Sequence, residues 1–238
     1  DLSLLLCSCN PQATNRMAQR VQSLAAEAAA AAAPRSAASG SAYFSTVAMC
    51  DAPATGVHLI FVLDNNWSMR GDPWCELERA FHTFLGRRSA DQADASDVVS
   101  VVMFNQEAWT CMAACSLDHA ANERLEYRGG LTAFGPAMQE AQRVAQRNHN
   151  THSPMVLFLS DGLAGDVAEA QRTIAAIDAE SNQTLQLHTV AFGADAATNA
   201  LRALAAGVPD SRGSFREATI EDISAVFADI ASNTAASD

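Results

Sequence analysis

The chain has 238 residues, 49% of them hydrophobic, enough to bury a substantial core in one large domain with an extension. A net charge of -12 argues against a broad nucleic-acid surface, which needs Lys or Arg in excess, and fits an acidic, solubilising exterior. All 15 basic residues are Arg, so there is no P-loop lysine, no Schiff-base lysine and no lysine to assist an aspartate-nucleophile phosphatase.

The first 40 residues stand apart. After "DLSLLLCSC", Asn10 and Pro11 give a helix-start signal, and Met17, Val21, Leu24 and Ala28 recur at helical spacing. A helix with a narrow apolar stripe is predicted from about Pro11 to Ala33; Pro34 ends it and "PRSAASGSA" is a joint. This arm either folds back on its own domain or docks on a partner, and its isolation favours docking, with Met17, Val21 and Leu24 as the contact stripe. Its Ala, Ser and Arg content with few acids is also that of an organelle transit peptide, which leaves an organellar location open.

From residue 41 to 234 strands and helices alternate, and 235–238 form a tail. "AYFSTVAM" is a candidate edge strand, and "VHLIFVL" has the unbroken apolar run of a strand buried on both faces. Asp72 and Pro73 open a helix with Trp74, Leu77, Phe81 and Phe84 on one face. "VVSVVMF" is a second buried strand, with "AWTCMAA" a short strand beside it. Gly135 and Pro136 begin a helix with Met138, Ala141 and Val144 inward; "MVLFL" is the third buried strand, and Val167, Ala170, Ile174 and Ile177 mark the next helix. "LQLHTVAF", a helix near Ala197 to Ala206, "GSFREA" and a helix from about Ile220 to Ile230 complete the series. The alternation predicts an α/β doubly wound sheet flanked by helices.

Enzyme signatures are lacking: there is no GxSxG, HExxH or GxGxxG. Cys7, Cys9, Cys50, Cys75, Cys111 and Cys115 form no CxxC pair and are expected as buried or free thiols in a reducing, intracellular compartment. No apolar stretch reaches membrane-spanning length. His58 and His188 are expected as core or sheet-face groups, Met17, Met49 and Met103 as packing residues, and Arg87 with Arg88 as complements to a helix dipole.

Sites in open α/β sheets lie at the carboxyl ends of strands, near a topological switch point. Asp64 in "FVLDNNWSM" and Asp161 in "LFLSDG" end two buried strands, and Thr132 in "GGLTAFGPAM" precedes a helix. These chain-distant oxygens are expected to meet at one edge. Taken singly, each has a purely structural reading: Asp64, Asn66 and Ser68 capping and bracing loops, Asp161 a turn residue before Gly162.

The three motifs, in this order and separation, resemble the von Willebrand factor A domain over about residues 56 to 232. That resemblance implies a mostly parallel, Rossmann-like sheet with one antiparallel edge strand. It also implies a metal-ion-dependent adhesion site on which Asp64, Ser68, Thr132 and Asp161 fall, with Asn66 where a serine is expected and Trp67 where glycine is common. Mg²⁺ or Mn²⁺ would take such oxygens in tight octahedral geometry, Ca²⁺ in a looser one. The changes at Asn66 and Trp67 favour loss of the ion over its retention.

The resulting expectation is a nonenzymatic protein-interaction module, an accessory or scaffold subunit, with protein partners contacted through the arm and through Trp67. A metal-dependent adhesion domain with Asn66 as an unusual ligand is the alternative. More remote is a phosphohydrolase with Asp64 as nucleophile, which lacks a second carboxylate at residue 66.

Overall fold

The computed structural model describes residues 56–91, 96–162, 164–181, 184–193, 198–209, 211–219 and 221–235. The predicted arm, with Met17, Val21 and Leu24, and the "AYFSTVAM" strand lie outside the described residues, as do Cys7, Cys9, Cys50 and Met49.

The long apolar run forms β1 (Gly56–Asp64), and it is unbroken because both of its edges and both of its faces are covered. It pairs in parallel with β2 (Val98–Phe104) on one side and β4 (His152–Ser160) on the other. Beyond β2 lies the antiparallel β3 (Ala108–Ser116); beyond β4 lie the parallel β5 (Gln186–Phe192) and β6 (Gly213–Ala218). The order β3-β2-β1-β4-β5-β6 places the switch point between β1 and β4, where Asp64 and Asp161 sit at neighbouring strand ends. Pro154 is tolerated because it lies near the start of β4, before the pairing with β5 begins at Met155.

Strand alternation divides the core. Leu59, Phe61 and Leu63 face a cluster closed by α1 (Asp72–Asp91) and the last helix, α6 (Ile223–Ala235), in which Phe61 meets Phe81 and Phe84 edge-on. Ile60 and Val62 face the opposite layer, α3 (Phe134–Ala145), α4 (Val167–Glu180) and α5 (Thr198–Ala205), where Phe104, Phe134 and Phe158 pack together. The predicted inward stripes of α1 and α3 are buried. Among the α-helices, one has no counterpart in the predicted elements, the six-residue α2 (Leu117–Asn122); it is too short for a helical period, and Ser116 caps it by accepting the His119 N–H at 3.3 Å.

Arg88 departs from its predicted role. It is fully buried and its Nε donates to Asp97 Oδ2 at 2.8 Å, whereas Arg87 is exposed. Cys75, Cys111 and Cys115 are free thiols, and no described helix is long and apolar enough to cross a membrane.

Candidate functional site

Asp64 ends β1 with its side chain fully buried. Its Oδ1 accepts from the Asn66 backbone N–H at 3.0 Å, and its Oδ2 accepts from the Ser160 hydroxyl and from the Asn66 amide at 3.3 Å. Burial pushes the carboxyl up from 3.8 to about 8 against the Ser160 hydrogen bond; nearby Asp161 adds to the rise, and the backbone donors oppose it.

The chain then enters a short 3-10 turn, Trp67–Met69, capped by Asn66, whose Oδ1 accepts the Met69 N–H at 3.1 Å and the Ser68 hydroxyl at 2.7 Å. The other end of the same amide lies among the predicted oxygens: Nδ2 donates to Thr132 Oγ1 at 2.8 Å and to Asp161 Oδ1 at 2.9 Å, besides Asp64. Asp64, Thr132 and Asp161 therefore meet around Asn66, while Ser68 is turned toward the amide oxygen.

Two buried asparagines carry Thr132 into place. Asn65 Oδ1 accepts the N–H groups of Arg128 at 2.6 Å and Gly129 at 3.0 Å, and its Nδ2 donates to Glu126 O at 2.8 Å. Asn105, just after β2, donates to Gly129 O at 2.7 Å, and its backbone carbonyl accepts the Ala133 N–H at 2.9 Å. Neither these residues nor Ser160 were singled out from sequence; the available signal was their position at strand ends beside Asp64, Phe104 and Asp161. Removing the Asn65 amide leaves two N–H groups and a carbonyl without their partner. Asn65→Ala is expected to cost about 3 kcal/mol in urea unfolding, at roughly 1 kcal/mol or more per bond; a cost below 1 kcal/mol would mean that water replaces all three.

Trp67 neither covers the oxygen cluster nor strains the backbone: Ala114 is the non-glycine residue with positive φ among those described. Its indole lies on Gly129, where a Cβ would stand 2.6 Å from the ring, and the Trp67 backbone N–H donates to Gly130 O at 2.9 Å. Gly129, at φ +76°, thus supplies both a left-handed turn and the bare surface that the indole needs. Trp67 and Leu131 are 62% and 70% exposed, the large exposed hydrophobic residues among those described, and they flank Gly130 on one loop edge. Trp74 is buried, as its helical spacing predicts.

The donor set does not fit a cation as arranged. The point central to the three oxygens holds an amide nitrogen at hydrogen-bond distances, whereas Mg²⁺ needs oxygens at about 2.0–2.1 Å. Among the described residues no group of three or more His, Cys, Asp or Glu gathers as a metal cluster.

Comparison with known proteins agrees with this architecture. Residues 59–164 match the family model of the von Willebrand factor type A domain. No curated protein matches the chain in sequence. Among solved structures, the von Willebrand factor domain of the type V pili tip protein Mfa5 from Porphyromonas gingivalis superposes with a TM-score of 0.61 at 12% identity, covering 77% of this chain and 96% of that one. Proximal thread matrix protein 1 of the mussel byssus gives 0.60 at 16%, over 76% of this chain and 46% of that one. The pilus adhesin SpaC from Lactobacillus rhamnosus GG gives 0.62 at 9%, over 77% and 31%. This chain therefore spans less than half the length of the last two. Residues 59–164 thus match the von Willebrand factor type A family, and the motif order, sheet topology and loop edge of the described residues are those of its fold.

Proposed function

We propose that the domain is a nonenzymatic protein-binding module whose contact surface is the loop edge bearing Trp67 and Leu131. The observation that carries this reading is the pairing of those two exposed side chains at the carboxyl edge of the sheet, on loops braced by Asn65 and Asn105. Large apolar groups presented on a rigid frame are the usual anchors of protein interfaces. Similar folds in a pilus tip protein, a pilus adhesin and a byssal matrix protein support an attachment role. A catalytic role for Asp64 is disfavoured by its burial and by the donors engaging both of its oxygens, since a nucleophile needs a free oxygen facing substrate. The accessory or scaffold role follows if the arm engages a second component of the same assembly.

Affinity capture from the source cells tests this with the double variant Trp67→Ala/Leu131→Ser beside Arg172→Ala, a change on the exposed face of α4. At least one protein held by wild type and Arg172→Ala should fall about tenfold or more with the double variant, the loss expected for one or two anchors of about 1.4 kcal/mol or more. Equal capture by all three forms would remove this edge as the contact surface. Val21→Asp with Leu24→Asp addresses the arm by the same comparison.

A further inference from the structure

We propose that the Asn66 carboxamide takes the place of the divalent cation in this domain, so that the loop edge is held together and presented to partners without a metal ion. Three oxygens from three separate segments, Asp64 Oδ2, Thr132 Oγ1 and Asp161 Oδ1, converge on one point, and Asn66 Nδ2 occupies it at 3.3, 2.8 and 2.9 Å. An ion at such a point would neutralise the two carboxylates and tie the segments together. The NH₂ group does the second through its hydrogens and part of the first through its positive dipole end.

The orientation of the amide follows from its surroundings. The Met69 backbone N–H can only donate, so the atom facing it at 3.1 Å is the amide oxygen, and the nitrogen must point inward. Turned the other way, the oxygen would face the Asp161 carboxylate oxygen at 2.9 Å, and Met69 would lose its acceptor. Space is also filled: a Cβ on Gly162 would stand 2.9 Å from Asn66 Nδ2 and 2.7 Å from Thr132 Oγ1, so the neighbouring loop already lies close against the amide. A serine at position 66 would be too short to put a donor at this point, which is why the asparagine at this position matters.

The test uses the whole chain and no partner, so its outcome is independent of whether the loop edge binds protein. Melting temperature and calorimetric titration are measured in EDTA and then with MgCl₂, MnCl₂ and CaCl₂. Wild type should show no cation-dependent shift and no saturable heat. Asn66→Asp is nearly isosteric but replaces the donor with a third carboxyl; it should melt below wild type in EDTA. Mn²⁺ or Ca²⁺ at about 100 times Kd should raise its melting temperature by about 5–10 °C, and a second change, Asp161→Asn, should abolish that response. Should Asn66→Asp fail to fold, Asn66→Ser, which keeps a capping oxygen, takes its place and should gain saturable cation binding. A saturable cation response in wild type that Asp161→Asn removes overturns the proposal, as does a folded Asn66 variant indifferent to cations.

Discussion

Arg88→Met is expected to destabilise the domain by about 3–5 kcal/mol, a large share of the stability of an ordinary domain. The Arg88 and Asp97 side chains are 0% and 1% exposed, and their 2.8 Å contact lies at the amino end of the sheet. Asp97 Oδ1 also accepts the Val57 N–H at 2.8 Å, tying the entry to β2 to the start of β1. Removing the guanidinium leaves a carboxylate in the interior with a single backbone donor, and the cost is mainly that of the uncompensated charge rather than of the lost attraction. The double variant Arg88→Met/Asp97→Asn removes both charges and should recover most of the loss, giving a strongly non-additive cycle in urea unfolding. Because the pair is buried, raising NaCl should leave the effect nearly unchanged. A single-variant cost below 1 kcal/mol would place this contact with exposed ion pairs and refute the assignment.

The signal for Arg88 was present in the sequence. It falls four residues after Phe84 and completes the spacing of Leu77, Phe81 and Phe84 along the buried face of α1. Reading the Arg-Arg pair as a unit hid this, since adjacent helical residues point about 100° apart and here one is exposed and the other buried. The sheet was more legible because a strand paired on both sides and covered on both faces must be apolar throughout, as β1, β2 and β4 are. Their carboxyl ends then identified Asp64 and Asp161, and the loop before α3 identified Thr132. What residue types do not encode is which end of an amide faces inward: that Asn66 presents nitrogen to those oxygens is decided by the Met69 N–H, a backbone group visible only once the 3-10 turn is formed. Likewise, Trp67 looks like an obstruction at a position where glycine is common, until Gly129 provides the surface on which its ring lies.

The second large effect concerns acid. His58 is 1% exposed and its Nε2 lies 2.8 Å from Ser100 Oγ, which also accepts the Ala114 N–H at 2.8 Å. Burial lowers the imidazole from 6.5 to about 4, with the positive character of His152 adding to the shift. Its folded-state pKa is thus below its unfolded value, so between pH 6.5 and 4 the unfolded chain binds the proton more readily and stability falls as pH falls. His188, lowered to about 4 by burial and by Arg216, acts in the same direction, whereas Asp64, raised to about 8, acts in the opposite one between 3.8 and 8. A wild-type profile alone mixes these contributions, but the difference between wild type and His58→Gln isolates one imidazole, because the other groups titrate in both proteins. The advantage of wild type over this variant should shrink by about 2 kcal/mol between pH 6.5 and 4.5, read from urea midpoints at successive pH values. Parallel profiles would mean that His58 is protonated as easily inside the sheet as in the unfolded chain.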